Sequence, residues 1–274
     1  MKNLSLFFVF LILSSFISCT QENGKRNNLK IMTMKKDTTF KIISFTPDNI
    51  KYFPGNIMEK SSWMDENYVK HTELNIPLGK SRYGGPIIDL PQNLEHPKDL
   101  RFVAQLDLQQ FSLFDNSGLI PKEGQLFVFA DITKKKGKVI YSNSLRKNLN
   151  RIIVEHNSHF FLGTLIDKIF SDTESYSERY VAPEHEEFES TNLNEEGKIW
   201  DPFAGTQRSK IFGIYTDCQR DEKYIRKITS SEKVILLQIG ENGFNDEGVL
   251  TILITKDDLK NRNFDNCEVL WSQS

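Results

Sequence analysis

Ser81-Arg82-Tyr83-Gly84-Gly85-Pro86, followed by Phe102-Val103-Ala104-Gln105-Leu106-Asp107-Leu108 and then by Gly124-Gln125-Leu126-Phe127-Val128-Phe129, is the stretch whose reading decides the fold. Two glycines ahead of a proline mark a turn: the glycines accept positive φ, and the proline fixes its own φ as the chain extends into Ile87-Ile88. From Asp89 to Asp99 the prolines Pro91 and Pro97 indicate a loop. In Phe102–Leu108 the residues Phe102, Ala104, Leu106 and Leu108 alternate with Val103, Gln105 and Asp107, the period of a strand with one buried face. Gln109 to Ile120 links it to a tight turn at Pro121–Gly124, which launches a second strand over Gln125–Ala130. Lys134–Lys138 is a basic turn before a third strand around Val139–Tyr141.

The same order returns later in the chain. Ser209-Lys210-Ile211-Phe212-Gly213 leads to Val234-Ile235-Leu236-Leu237-Gln238-Ile239 and then to Gly248-Val249-Leu250-Thr251-Ile252-Leu253-Ile254. Each time a glycine turn precedes an apolar run holding one glutamine, and a Gly-opened apolar run follows. Residues 81–131 and 209–255 are therefore expected to be two degenerate copies of one β-containing unit. The fold class that follows is α+β: β-rich, with mostly antiparallel sheets and few short helices.

Outside these copies the signals are local. Leu29–Met34 and Thr39–Phe45 carry short β-branched and apolar runs, Pro54-Gly55 is a turn, and Ser62 is placed to cap a short helix within Ser61–Val69. Arg151–Glu155 reads as a strand, and Phe161, Leu165 and Ile169 give Phe160–Phe170 helical spacing. Ser171–Glu189 is an acidic loop, and Asn194–Gly205 is the best internal boundary. Asp257-Asp258 open a short helix within Lys256–Arg262, before a final strand over Cys267–Trp271.

A length of 274 residues with 38% hydrophobic and 11% aromatic residues suffices for a sizeable core, and a single domain is expected over residues 29–274. The formal net charge of −2 carries no nucleic-acid footprint, so no nucleic-acid partner is expected. At the N-terminus Lys2 precedes an almost unbroken apolar run from Leu4 to Ile17, short of the about 20 residues needed to cross a bilayer. Residues 1–18 read as a secretory signal peptide. Phe16-Ile17-Ser18-Cys19 resembles the lipobox of bacterial lipoproteins, which implies that Cys19 becomes the lipidated first residue of the mature chain. Residues 19–28 are then the lipidated cysteine and a polar, flexible tether. Acyl chains anchor by apolar burial, about 0.8 kcal/mol per methylene. The expected location is the cell envelope, membrane-anchored and facing the periplasm or in the outer membrane rather than the cytoplasm. In such an oxidising compartment Cys218 and Cys267 are available to pair; two separately buried thiols are the alternative.

Gly84-Gly85-Pro86, the Phe102–Leu108 run and Pro121-x-x-Gly124-x-Leu126-Phe127-x-Phe129 resemble the YwqG-like family, a bacterial domain of unknown function. Lys210-x-Phe212-Gly213, Leu236-Leu237-Gln238-Ile239, Gly248-Val249-Leu250 and Asp258-Leu259-x-x-x-Asn263-Phe264 continue the resemblance, which runs over roughly Pro77 to Ser274. Two places depart from it: His96 stands where an aromatic residue is usual, and Asn245-Asp246-Glu247 replaces the usual turn before Gly248. The resemblance implies a duplicated, β-rich α+β fold and brings no established reaction.

Several candidate sites fall short of a motif. Gly79-Lys80-Ser81 has Leu74 where a phosphate loop needs glycine, and no G-x-S-x-G elbow is present. His156-x-x-His159 near Glu155 follows a strand, where that spacing sends the two side chains to opposite faces. Glu184-His185-Glu186-Glu187 offers oxygen ligands without a metal register, and Asn242–Glu247 reads as a hairpin connection rather than a calcium loop. Gln105 and Gln238 sit at equivalent places in apolar strands, where a buried amide must be hydrogen-bonded, to a backbone or to a ligand. Arg82 and Tyr83 beside Gly84 and Gly85, with Asp89, form the best polar cluster for a small ligand; a turn needed only for packing is the alternative.

No catalytic residue, metal or cofactor is assigned. The reading is a lipid-anchored envelope protein whose domain binds an unknown protein or small-molecule partner. One rival is a hydrolase-like or metal-dependent enzyme, which requires a deep pocket with convergent titratable groups between the two copies. An immunity-type or scaffold protein is the other.

Overall fold

Runs of Ile, Val, Phe and Thr fit a pleated, half-buried surface, and most of the chain is extended for that reason. The computed structural model describes residues 38–53, 57–60, 68–69, 76–154, 159–176, 204–242, 244 and 248–273. The strands are β1 Phe40–Phe53, β2 Ile57–Lys60, β3 Tyr68–Val69, β4 Arg82–Tyr83, β5 Ile87–Pro91, β6 Arg101–Asp107, β7 Gln125–Asp131, β8 Lys136–Ser142, β9 Leu149–Ile153 and β10 Gly163–Glu174. They continue with β11 Ser209–Ile211, β12 Lys233–Ile239, β13 Gly248–Thr255 and β14 Glu268–Gln273. Three short helices accompany them: α1 Leu108–Ser112, α2 Glu222–Thr229 and α3 Lys256–Lys260.

One large sheet runs in the order β14-β13-β12-β11-β1-β10-β4-β6-β7-β8, with β2 and β3 attached to β1, and β5 pairs β9 in a separate ribbon. The ladders between these strands are antiparallel. The sheet rolls until its two edge strands meet. There Tyr141 stacks on Phe264 with centroids 5.5 Å apart, Arg262 lies over Tyr141, and Val269 of β14 lies so close to Gly137 of β8 that a Cβ there would come within 2.0 Å of it.

Rolling gives the sheet a concave and a convex face. The main core fills the concave side with Ile43, Phe45, Val128, Leu237, Ile252 and their neighbours. On the convex side the β5–β9 ribbon packs Ile88 and Leu90 onto Phe102, Phe127 and Phe129. Farther along, α2 lays Ile225 with Ile214 and Tyr215 over Ile235 and Leu253. Both faces of the sheet are thus covered for much of its width. Asp37–Ser274 form one compact unit that contains these cores and ladders.

The fold class is as expected, a β-rich α+β fold. Strands β6, β7, β8 and β9 fall where expected to within a few residues, β1 includes Thr39–Phe45 apart from its first residue, and α3 opens on Asp257 and Asp258 with Thr255 accepting from the Asp258 N–H. Four expectations are corrected. Phe160–Phe170 is not helical: β10 runs from Gly163 to Glu174 and pairs with β1. Spacing of four residues suits one face of a helix and equally one face of a strand, so it did not discriminate. Strand β6 is buried on both faces, because a register shift between Phe102 and Ala104 turns Phe102 outward beneath the β5–β9 ribbon. The expected loop after Leu108 begins with α1, and Tyr68–Val69, placed in a helix by the sequence, pair with β2. Leu29–Met34, Pro54-Gly55, residues 61–67, the acidic stretch beyond Tyr176 and the boundary as far as Phe203 lie outside the described residues.

The edge seam is testable. Gly137→Ala is expected to destabilise the fold by about 1–3 kcal/mol through overpacking. Combined with Val269→Ala, the loss should be smaller than the sum of the single losses, as read by urea denaturation in a double-mutant cycle.

Candidate functional site

Arg82, on the two-residue strand β4, is fully buried, and burying a guanidinium is costly unless its charge and donors are matched. Its Nε donates to Ile87 O at 2.9 Å, Nη1 to Lys80 O at 2.9 Å and Nη2 to Gln105 Oε1 at 2.8 Å, and Nη2 lies 2.9 Å from Asp89 Oδ2. Asp89 is closed in turn by the Gly79 N–H at 2.9 Å and by Arg151 Nε at 2.8 Å. Gln105 Oε1 also accepts from the Asp89 N–H, and its Nε2 donates to Gln125 Oε1 at 3.1 Å. Burial alone would raise the Asp89 carboxyl; the Arg151 hydrogen bond, the Arg82 charge and the Gly79 N–H outweigh it and hold the carboxyl below its ordinary 3.8.

A matching arrangement stands beside β12. Arg82 lies opposite Gln105 in the β4–β6 ladder, and Lys210 lies opposite Gln238 in the β11–β12 ladder. Ser81 Oγ accepts from the Asp107 N–H, and Ser209 Oγ accepts from the Gly240 N–H. Lys210 Nζ, fully buried, donates to both Glu174 oxygens at 2.7 Å and to Ile214 O at 2.8 Å. Gly213, at φ +89°, passes so close to Glu174 that a Cβ would come within 2.2 Å of Oε1. Gln238 Nε2 donates to Gly205 O and Arg208 O, both at 2.9 Å.

The cluster Arg82, Tyr83, Gly84, Gly85 and Asp89 is therefore together in space but closed on itself. Tyr83 is buried in the core, stacked on Phe161. Gly84 has no room for a side chain, since a Cβ would meet the carbonyl oxygens of Phe161 and Leu162 at 2.5 Å. Gln105 bonds to protein partners at both ends of its amide, and Gln238 does so through Nε2, while its buried Oε1 has no hydrogen-bond partner among the described residues. The space between the two half-sheets, where an enzymatic site was the rival expectation, is filled by Phe45, Phe111, Tyr83 and Phe244 in edge-to-face contact.

Cys218 and Cys267 are free thiols. The Cys218 N–H donates to Ser272 Oγ at the far end of β14 and its Sγ faces Glu241, whereas Cys267 precedes that strand and packs on the concave core. Five residues of strand separate the two places by about 16 Å, beyond the about 7 Å reach of a disulfide. Burial pushes Cys218 up to about 11 and, with the Asp258 and Asp265 charges, Cys267 up to about 12. Near Cys218, Asp217 accepts from Tyr215 OH and Ser272 Oγ, each at 2.7 Å, and burial followed by Asp217 raises the Tyr215 phenol. His159 stacks on His96 with centroids 6.0 Å apart, and His96 meets Phe129 edge-on in the place of an aromatic residue. Burial and the neighbouring His159 hold His96 below its ordinary value. His156, Glu155 and Glu184–Glu187 lie outside the described residues, and among the described residues no three His, Cys, Asp or Glu side chains converge as metal ligands.

A pocket of about 280 Å³ opens to solvent among the described residues. Ile42 and Ile43 of β1, Phe114, Leu119, Phe212 and Val234 wall it, and the exposed Lys41 and Lys256 border it with Asp115. Asp115 is engaged by the Ile120 and Ser117 N–H groups. Phe212 has φ +66°, where a phenylalanine costs about 1–2 kcal/mol; Gly84, which likewise precedes a glycine, has φ +53°. No local sequence pattern signals this pocket, whose lining comes from five separate stretches.

A family model described as a domain of unknown function (DUF1963) matches residues 81–272, well over half of the chain. The chain belongs to the DUF1963 family. No protein of curated description matches it. Both buried cations lie within the matched residues of the DUF1963 domain, whereas β1, in the middle of the large sheet, precedes them.

Asp89→Asn leaves the buried Arg82 without its carboxylate and is expected to cost about 3–5 kcal/mol at pH 7. A carboxyl lowered in the folded state contributes stability above its unfolded pKa, near 3.8, and loses it as pH falls through the folded value. The gap between wild type and Asp89→Asn in urea denaturation should therefore be full at pH 7 and narrow as the pH falls below about 3.8. A gap that does not change over that range would refute the account of Asp89.

Proposed function

We infer that this chain is a lipid-anchored envelope protein that works by binding. The observation that carries the binding reading is the division of labour among its charged groups. Arg82, Asp89, Lys210 and Glu174 close on one another in the interior, while the solvent-open pocket has apolar walls and lysines at its border. Such a pocket suits retention of a ligand. Within the DUF1963 family we read the chain as YwqG-like, on the motifs around Gly84-Gly85-Pro86 and Gln238. The matched surroundings of Arg82 and Lys210 support the further reading that residues 81–131 and 209–255 descend from one duplicated unit.

Support for the anchor comes from the sequence: Lys2, the apolar Leu4–Ile17 run and Cys19 at its end. The polar residues that follow would hold the domain off the bilayer.

Cys19→Ser is expected to abolish incorporation of labelled fatty acid and to leave an unprocessed precursor, visible by mass. Undiminished labelling in that variant would remove the anchor. For the binding reading, native mass spectrometry of Thr20–Ser274, purified from its own host, should show extra mass that denaturation releases; a bare chain would count against it.

A further inference from the structure

We propose that the pocket beside Phe212 is a binding site for a small amphipathic anion, a single carboxylate or sulfonate on an unbranched acyl or two-ring aromatic body. This rests on the reading of the domain as a binding module and names the ligand class of that module. Three observations converge on it. The first is size and lining: about 280 Å³ is just under the 300–1,000 Å³ usual for small-molecule sites, and the walls are Ile42, Ile43, Phe114, Leu119, Phe212 and Val234. An apolar body of modest length fits those walls, and the polar lining is confined to Asp115, Asn116 and Ser117 of one loop and the two lysines.

The second observation is charge. Lys41 and Lys256 border the pocket and neither forms an ion pair with another described residue. The acid in the lining, Asp115, is turned to its own loop: one oxygen takes the Ser117 N–H and hydroxyl and the other takes the Ile120 N–H. Two ammonium groups at the mouth of an apolar pocket favour an anionic head over a neutral or cationic one.

Phe212 is the third. Its backbone is in the left-handed region that Gly84 occupies in the other half-sheet, and Gly213 follows it as Gly85 follows Gly84. At Gly84 the carbonyls of Phe161 and Leu162 fill the space a side chain would need. At Phe212 an aromatic ring occupies the strained position and forms a wall of the pocket. Strain held at a bulky residue marks a place where the side chain itself is used.

The test employs the chain from Thr20 to Ser274, which contains the whole compact unit. Decanoate is titrated against it by calorimetry, with decanol as the uncharged comparison and 1-anilinonaphthalene-8-sulfonate as a fluorescent competitor. Decanoate should bind one to one with a dissociation constant of about 0.1–1 mM, displace the fluorescent sulfonate, and bind more tightly than decanol. Lys41→Glu with Lys256→Glu should weaken decanoate about tenfold or more and leave decanol unchanged. Val234→Trp, which fills the pocket, should abolish both. Equal binding of decanol and decanoate, or unchanged decanoate affinity in the double lysine variant, overturns the assignment. If decanoate fails to bind while a host-derived ligand of another class is retained in native mass spectrometry, the amphiphile assignment falls and the binding reading stands. If neither is seen, both fall.

Discussion

The ladder between β1 and β10 is the interaction on which the rest of the structure depends. One half-sheet ends at β4 and the other at β11, and only these two strands lie between them. The pairing runs from Phe40 opposite Glu174 to Tyr52 opposite Gly163, and a register shift falls at Pro47, which has no N–H to give a ladder. Its register fixes several things at once. Ile43 and Phe45 face the concave core, and Glu174 reaches Lys210. A slip of one residue would reverse every side chain of a strand, leaving the Lys210 ammonium buried without its carboxylate.

Burying a cation in each half-sheet has different consequences on the two sides. Arg82 draws its carboxylate from β5, a few residues along the same stretch, so that network closes within one half-sheet and its overlying ribbon. Lys210 draws its carboxylate from β10, and so its charge is matched only once the central ladder has formed. Buried pairs of this kind add little net stability over apolar packing, because desolvation offsets most of the attraction. Their effect falls on alternatives: any pairing that separates Lys210 from Glu174 breaks a buried ion pair, with Arg208 left as the other cation beside Glu174. The family match starts at Ser81, yet the sheet is incomplete without β1 upstream of it, so the folded unit is longer than the matched residues.

Much of this is legible in the sequence where one residue type has one physical use. Gly84-Gly85-Pro86 marked a turn, and both glycines have positive φ. The apolar runs around Gln105 and Gln238 were strands, and Asp257-Asp258 opened a helix. Illegible features were those in which two structures share a pattern or distant residues meet. Phe161, Leu165 and Ile169 satisfy helix and strand alike, and pairing with β1 decided for the strand. Arg82 reads equally as a ligand-holding arginine or as part of a packing turn, because nothing local shows that Ile87 O, Lys80 O, Gln105 and Asp89 all turn toward it. The cysteines seemed able to pair because the sequence does not reveal that they lie toward opposite ends of β14. The pocket was invisible for the same reason: Lys41, Phe114, Phe212, Val234 and Lys256 are joined only by the fold.

The comparison of Gly84 with Phe212 shows how one turn conformation is closed over by main chain in one half-sheet and borders an open pocket in the other. In the first, the segment after β9 crosses the turn: the Gly85 N–H donates to Phe161 O, and the Phe161 N–H donates to Phe102 O. Backbone carbonyls then lie where a side chain would project, and only glycine is accommodated. In the second, the Phe212 N–H donates to Ile235 O as the Gly84 N–H donates to Val103 O, and the ring packs partly buried against the main core while bordering a cavity with Val234 and β1. The turn conformation is thus kept while the group beside it changes from main chain to an aromatic face. A backbone crossing is polar and must be hydrogen-bonded, so it ties the first half-sheet together. An aromatic face makes no such demand and can meet solvent or an apolar guest.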